Sequence, residues 1–343
     1  MKINRITRCI CVFSLAFMSV SCDNSNQRVG IFIYDETDTF ISAVSDKLEL
    51  GIQHSNTSNL SYNIYYAENS QNNQNTQIIN YLEQNPSLLL VNAVDRLASG
   101  TIIEKCEEAG TGLIFFNREP LESDMEDATN AYYVGSNPED LGNLQAEMAA
   151  DLFGNPTSLN PLYDTNGDNI IQLVILKGEQ GHQDAEKRTS SLIATLNNLG
   201  YQFELLVTEV DNWRRQEAYA SMPDIYDTYG EDIELICSNN DDMALGAIDY
   251  LLENNIFFDD VEITEQPFVI LGVDATSVGL EAIENNYMYG TVLNDSEGQA
   301  DAILALMEYI LDNKDFADFP YTFTNERYIY VAGKSIVKSD LIK

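Results

Sequence analysis

Apolar positions along the chain follow two patterns. Short, nearly continuous apolar runs occupy 29–34, 62–66, 88–92, 113–117, 132–135, 170–177, 203–210, 233–238, 268–273 and 290–293. Between most of them, apolar residues return every three or four positions, over 40–53, 76–82, 101–109, 141–153, 185–199, 243–252 and 300–311. The first pattern predicts buried strands, the second amphipathic helices packed on them. Strands alternating with helices build parallel sheets covered on both faces. These strands outnumber those of one ordinary doubly wound sheet, and 343 residues exceed one ordinary domain. Two α/β lobes are therefore expected. No internal repeat or low-complexity block interrupts the pattern.

Charge narrows the possible partners. The chain holds 18 Lys+Arg against 55 Asp+Glu, a net −37. Nucleic-acid affinity rests largely on Lys and Arg, so a general nucleic-acid binder is excluded. A basic face for anionic lipid is equally absent. With 44% hydrophobic residues the chain can build a full core, so the acid is a solvated surface that favours solubility.

The N-terminus reads as an export signal. Lys2, Arg5 and Arg8 precede an apolar run over 9–20 that is too short to span a bilayer, and no acid falls in this stretch. The small residues before Cys22 resemble a bacterial lipobox, with Ser19 where Leu is usual. Cleavage after Ser21 would leave Cys22 as the lipidated first residue and 22–27 as a polar tether. The signal peptide is thus 1–21, and removing it takes the net charge to about −40, because three bases and no acid leave. Cys9 and Cys11 leave with it. Cys106 sits in a helical pattern and Cys237 in a strand, each expected as a buried hydrophobe rather than half of a disulfide. No Cys/His cluster suggests zinc.

In open parallel sheets, ligands bind beyond the carboxyl ends of the strands. Asp38 and Phe40 follow the first strand, and Asn117 follows the run 113–117. His182, Asp184 and Arg188 follow 170–177, and Trp213 follows 203–210. Asn240, Asp274 and Asn294 follow the next three runs. Any one Asp or Asn in such a place could be only a turn residue or helix cap. Together they make a chemical set: paired hydrogen-bonding groups for the hydroxyl rim of a pyranose, and two aromatic rings for its C–H faces. A Ser–His nucleophile pair, a phosphate-cradling glycine loop and a redox motif are missing from it.

These residues, in their order and context, resemble the bacterial galactose/glucose-binding proteins. The resemblance rests on Asp38-Thr39-Phe40, Phe116-Asn117-Arg118-Glu119-Pro120, Gly178-Glu179-Gln180-Gly181-His182, Asn239-Asn240-Asp241, Gly272-Val273-Asp274 and Gly290-Thr291-Val292-Leu293-Asn294. It extends over essentially the whole mature chain. It implies a type I periplasmic-binding-protein fold: α/β, two doubly wound parallel-sheet lobes joined by a three-stranded hinge. The N-terminal lobe would be 28–136 plus 295–326 and the C-terminal lobe 137–294 plus 327–343, with crossings near 135–137, 294–295 and 325–328. By the same resemblance Phe40 and Trp213 sandwich a sugar ring. Asp38 bonds its 4-hydroxyl in either epimer, Asp184 and Arg188 read its anomeric end, and no residue is catalytic. The implied role is delivery of D-glucose or D-galactose to an ABC permease and ATPase by a monomer that meets the membrane only through its lipid anchor. The alternative is a sensor presenting the closed form to a chemoreceptor. A sugar-responsive transcription factor is opposed by the signal peptide, the charge and the lack of a helix-turn-helix. A glycosidase with paired carboxylates is opposed by the surroundings of every block.

A second site is expected at 164–172. Asp164, Asn166, Asp168 and Gln172 offer side-chain oxygens at positions 1, 3, 5 and 9 of an EF-hand-like calcium loop, and Ile170 at position 7 needs only its carbonyl. Position 6 is Asn169, which tolerates a left-handed backbone better than most residues. Position 12 is Ile175, which cannot coordinate. The resemblance supplies the missing carboxylate from Glu234, for a structural Ca2+. Elsewhere His54 is expected to be exposed at the end of an amphipathic helix, 69–77 to be a loop and helix start, and 254–266 an enlarged surface loop. Gly100 matches a position that the resemblance places on a receptor-facing surface, although a glycine at a helix start is the simpler account.

Overall fold

A computed structural model describes residues 26–55 and 59–342. The expected signal peptide and Cys22 lie outside the described residues. From its start the chain runs β1 (Gln27–Ile33), α1 (Thr39–His54), β2 (Leu60–Tyr66), α2 (Gln71–Leu82), β3 (Leu88–Val91), α3 (Ser99–Ala109), β4 (Gly112–Phe116), α4 (Glu122–Glu126) and β5 (Ala131–Gly135). It continues through α5 (Pro138–Phe153), the hairpin β6 (Gly154–Asn155) and β7 (Ser158–Leu159), β8 (Ile171–Lys177), α6 (Gln183–Asn198), β9 (Phe203–Val210), α7 (Arg215–Tyr229) and β10 (Leu235–Ser238). It ends with α8 (Asp241–Glu253), β11 (Val269–Asp274), α9 (Ser277–Glu284), β12 (Gly290–Leu293), α10 (Ser296–Leu311), β13 (Tyr328–Tyr330), β14 (Lys334–Val337) and α11 (Lys338–Leu341).

Two six-stranded sheets carry the two lobes, in the orders β13-β5-β4-β3-β1-β2 and β14-β12-β11-β10-β8-β9. The inner order is the same in both, that of a doubly wound sheet whose ligand crevice lies at the carboxyl ends of its strands. The sequence shows no repeat, yet the topology repeats, because packing a parallel sheet between helices constrains hydrophobic pattern and not residue identity. In the first lobe α1 and α10 cover one face through Ile41, Val44, Leu48, Ile303 and Leu306, while Tyr81, Ile102 and Cys106 pack the other. In the second lobe α5 and α6 bury Leu152, Phe153 and Leu192 against one face, and α7 and α8 bury Met222 and Leu251 against the other.

The chain passes between lobes after β5, after β12 and between β13 and β14. The last passage differs from expectation. β13 pairs parallel with β5 in the first lobe, and β14 antiparallel with β12 in the second. The crossing therefore lies over 331–333, not 325–328, and the first lobe keeps the chain through Tyr330. The apolar run 328–332 continues out of β13 into the crossing, and β14 is a short edge strand, so the pattern does not mark where the lobes divide. Three smaller differences follow the same logic. β1 opens at Gln27, inside the expected tether. The Asn/Gln-rich stretch is mostly helix, because Ser70 caps α2 and accepts from the Asn73 amide. Glu234 lies just before β10 rather than inside a strand.

Cys106 and Cys237 are free and buried, and burial pushes the Cys106 thiol up to about 12. His54 is exposed at the end of α1. The 254–266 segment is pinned at both ends: Gln266 bridges to Phe258 and Asn286, and Phe257 packs on Phe268. At Gly100 a Cβ would sit 3.1 Å from the Asp124 carboxylate, which gives the glycine a local structural reason.

One buried acid in the second lobe sets a stability prediction. Asp241, fully buried, accepts from Thr291 Oγ1 (2.6 Å) and the Thr276 amide (2.8 Å), tying β12 to the start of α9. Burial pushes its carboxyl up to about 7. Because the folded value exceeds the unfolded one, this group favours folding most below the ordinary Asp range, and the contribution is lost as pH rises through about 7. The expected loss between pH 4 and pH 8 is up to roughly 4 kcal/mol. Asp241→Asn should flatten that part of a pH series of urea midpoints, and an unchanged slope would refute the assignment.

Candidate ligand-binding cleft

The cleft lies between the carboxyl ends of the two sheets, and local rules place its side chains. Asp38, His182 and Asn240 are the N-caps of α1, α6 and α8, accepting from Ile41, Asp184 and Met243 amides respectively. Capping and pocket lining thus coincide: the group that satisfies a helix N-terminus faces the crevice with its remaining capacity. Several pocket positions hold positive φ, namely Asn117 (60°), Trp213 (68°) and Asp274 (121°). Strained backbone of this kind gathers at binding sites, where the surrounding bonds hold it in place.

All the residues expected from strand ends line one cavity: Asp38, Phe40 and Asn117 from the first lobe, and His182, Asp184, Arg188, Trp213, Asn240 and Asp274 from the second, with Asn294 at a crossing. Two further residues line it, Tyr34 and Arg118. Arg118 directly follows Asn117 at the β4 end, so its position carried a signal. Tyr34 closes an apolar run and reads as core. It donates from its hydroxyl to Asp38 Oδ2 at 2.5 Å, and burial beside Asp38 pushes its phenol well up, which keeps it a donor. The Arg118 guanidinium lies 3.8 Å from the Tyr34 ring centre.

Arg188 is the electrostatic centre. It is buried between Asp184 (3.7 Å) and Asp274 (3.9 Å) and donates from Nη1 to the Asn239 carbonyl at 2.7 Å. Burial raises both carboxyls, and the guanidinium opposes the rise. Arg188 Nε is buried without a hydrogen-bond partner in the protein. His182 is held neutral: burial pushes its pKa well below the usual value, with Arg118 and Arg188 adding to the shift. Its Nδ1 accepts from the Asp184 amide at 3.1 Å, which leaves Nε2–H as the donor on its free edge. Trp213 meets His182 edge-on at 5.3 Å between ring centres and packs flat on Gly178, where a Cβ would fall 2.3 Å from the indole.

The cavity connects to the hinge. Asn294 donates to Asp274 Oδ1 (3.1 Å) and accepts from Gln299 of α10 (2.8 Å), and Gln299 also donates to Ser136 Oγ (3.1 Å). Two of the crossings therefore share one buried amide with the pocket. Across the cleft mouth the lobes touch through Thr39 Oγ1 on Asp242 (2.8 Å), Arg214 with Asp35 (3.4 Å) and Arg118 with Glu179 (3.5 Å).

The 164–172 loop sits at the opposite end of the second lobe, before β8. A seven-residue strand separates it from the cleft by about 20 Å. Asp164 accepts from the Gly167 and Asn169 amides, and Asp168 from the Ile170 amide and the Gln172 side chain. Glu234, buried, accepts from the Thr165 amide at 2.7 Å and the Gln172 amide at 3.4 Å. Asn169 takes φ 65°, the left-handed turn expected of position 6. Gln172 Oε1 is buried with no partner. Among the described residues no group of three or more His, Cys, Asp or Glu is gathered as a metal site. The oxygen donors here are drawn onto loop amides, and their chemistry fits a hard cation.

Two lobes closing on a polar crevice with aromatic walls define a solute-binding protein. The chain belongs to the periplasmic binding protein family, whose domain profile matches residues 29–315. This is a family of exported solute-binding proteins that serve ABC importers, not of enzymes. The chain is 31% identical over 331 residues to a D-galactose/methyl-galactoside binding periplasmic protein of Haemophilus influenzae, covering 96% of this chain and 95% of that one. Among solved structures, a solute-binding protein of Bacillus halodurans with bound myo-inositol superposes at a TM-score of 0.76 and 22% identity, covering 94% and 98% of the two chains. One from Actinobacillus succinogenes with bound D-allose superposes at 0.74 and 17% identity, covering 91% and 98%. These structural likenesses speak for the fold.

Proposed function

We propose that the cleft captures D-glucose or D-galactose and presents it, enclosed, to an ABC permease and its ATPase. The carrying observation is the single cavity in which Asp38 and Asn117 from one lobe face Asp184, Arg188 and Asp274 from the other, with Phe40 and Trp213 in its wall. Buried Arg188 Nε lacks an acceptor that a sugar hydroxyl would supply. Because the two lobes each hold part of the polar lining, a ligand bonded to both favours the closed arrangement. The relative that binds galactosides matches along nearly its whole length, which supports a hexose over the other small polyols its wider relatives carry.

In this reading the 164–172 loop holds a structural Ca2+ through Asp164, Asn166, Asp168, the Ile170 carbonyl, Gln172 and Glu234. Cys22 carries a lipid that anchors a monomeric mature protein at the outer face of the cytoplasmic membrane. Trp213 is the only Trp in the chain, so tryptophan emission, excited selectively over the 19 Tyr, has one source, in the cleft. Titrating residues 23–343 with glucose, galactose, ribose and xylose should give a saturable change with glucose or galactose. Folded protein showing neither an emission change nor heat with any of them would overturn the hexose reading.

A further inference from the structure

A second space opens beside the cavity, again between the lobes. Its enclosed part, about 320 Å³, lies at the low end of the range of about 300–1,000 Å³ typical of small-molecule sites. The two spaces share Arg118, His182 and Asp184 as wall. Beyond that wall the lining is polar and of mixed sign: Asp95, Arg96 and Glu119 on the first lobe, Gln180 and Gln183 on the second.

That lining favours a neutral, hydroxylated group. Arg96 is turned onto the carbonyls of Glu119 (2.9 Å) and Pro120 (3.1 Å), so its charge lies against oxygen and is not displayed to an anion. The Glu119 carboxyl is raised by burial and already shares hydrogen bonds with the Gln183 and Tyr330 side chains, so an occupant's hydroxyl would join that network. Gln183 Oε1 is buried and has no partner. No Phe, Tyr or Trp lines the space, so hydroxyls and water rather than stacking on a large ring would hold an occupant.

The geometry points to a second subsite that takes the polar substituent of a glycoside. The ligand class then extends beyond free hexose, and beyond the methyl galactoside in the relative's name, to disaccharides, whose first ring fills the cavity and whose second unit lies against Gln183 and Glu119. This rests on the hexose reading above and deepens it.

Calorimetry on residues 23–343 with glucose, galactose, methyl β-galactoside, lactose, melibiose, cellobiose and maltose tests it. At least one disaccharide should bind within about tenfold of its parent hexose. Gln180→Trp, which fills the space, and Gln183→Ala, which removes the orphan acceptor, should each weaken that disaccharide about tenfold or more while hexose affinity stays within about twofold. Hexose binding with no heat from any disaccharide would overturn the subsite, as would variants that weaken both ligand classes equally. Disaccharide binding sensitive to both variants, without hexose binding, would sustain the subsite and refute the hexose reading. Silence from every sugar would refute both.

Discussion

Arg188→Met should abolish measurable binding of glucose and galactose. The guanidinium lies 3.7 Å from Asp184 and 3.9 Å from Asp274, and all three side chains are at most a tenth exposed. Removing it leaves two raised, buried carboxyls without their compensating charge, which costs roughly 3–5 kcal/mol of folding stability at neutral pH. It also removes the buried Nε donor. Losing a desolvated charged hydrogen bond typically costs roughly 2–5 kcal/mol of affinity, about 100-fold or more. The two losses separate experimentally. The stability loss should shrink as pH falls and the carboxyls take protons, because a raised carboxyl favours folding at low pH. The affinity loss should persist wherever circular dichroism shows the variant folded. Arg188→Lys keeps the charge and loses the planar fork, so it should restore stability more than affinity. Affinity of folded Arg188→Met within threefold of the parent chain would remove Arg188 from the proposed site.

The two-lobe fold was legible because β3, β4, β8 and β11 are nearly continuous apolar runs and their partner helices carry an apolar stripe. The cleft was legible for a related reason. Residues after parallel strands converge wherever the sheet ends, so Asp38, Asn117, Arg188, Asn240 and Asp274 could be grouped without knowing any distance. What the sequence concealed has physical causes as well. Tyr34 looks like the last residue of a buried strand, and only the fold shows its hydroxyl turned to Asp38. β13 and β14 are edge strands of three and four residues, whose ends are set by pairing with β5 and β12 and not by their own pattern. Gln299 lies inside a helical stripe, and nothing local marks it as the amide bridging Ser136 and Asn294. The second space beside the cavity depends on how the lobes face each other, which no periodicity encodes.

Chelation gives the second large effect. If Ca2+ binds the folded loop and not the unfolded chain, a free concentration about a thousandfold above its dissociation constant contributes about 4 kcal/mol. In a lobe of this size each kcal/mol moves Tm by roughly 2–4 °C, so excess EDTA should lower Tm by about 10 °C, and CaCl2 should restore it. The carboxylate that distinguishes this loop from a simple acidic turn is Glu234, which lies outside it in sequence and is buried against its amides. Glu234→Gln keeps the size and an acceptor for the Thr165 amide but loses the charge that a hard divalent cation requires. Its Tm should therefore be low with or without EDTA, and should respond to CaCl2 only at much higher concentration. The loop sits at the far end of the second lobe from the cleft, so sugar affinity at a temperature where both forms are folded should change little on chelation. Equal Tm in EDTA and in CaCl2 would show that the hydrogen bonds of Asp164, Asp168 and Glu234 hold the loop without a metal.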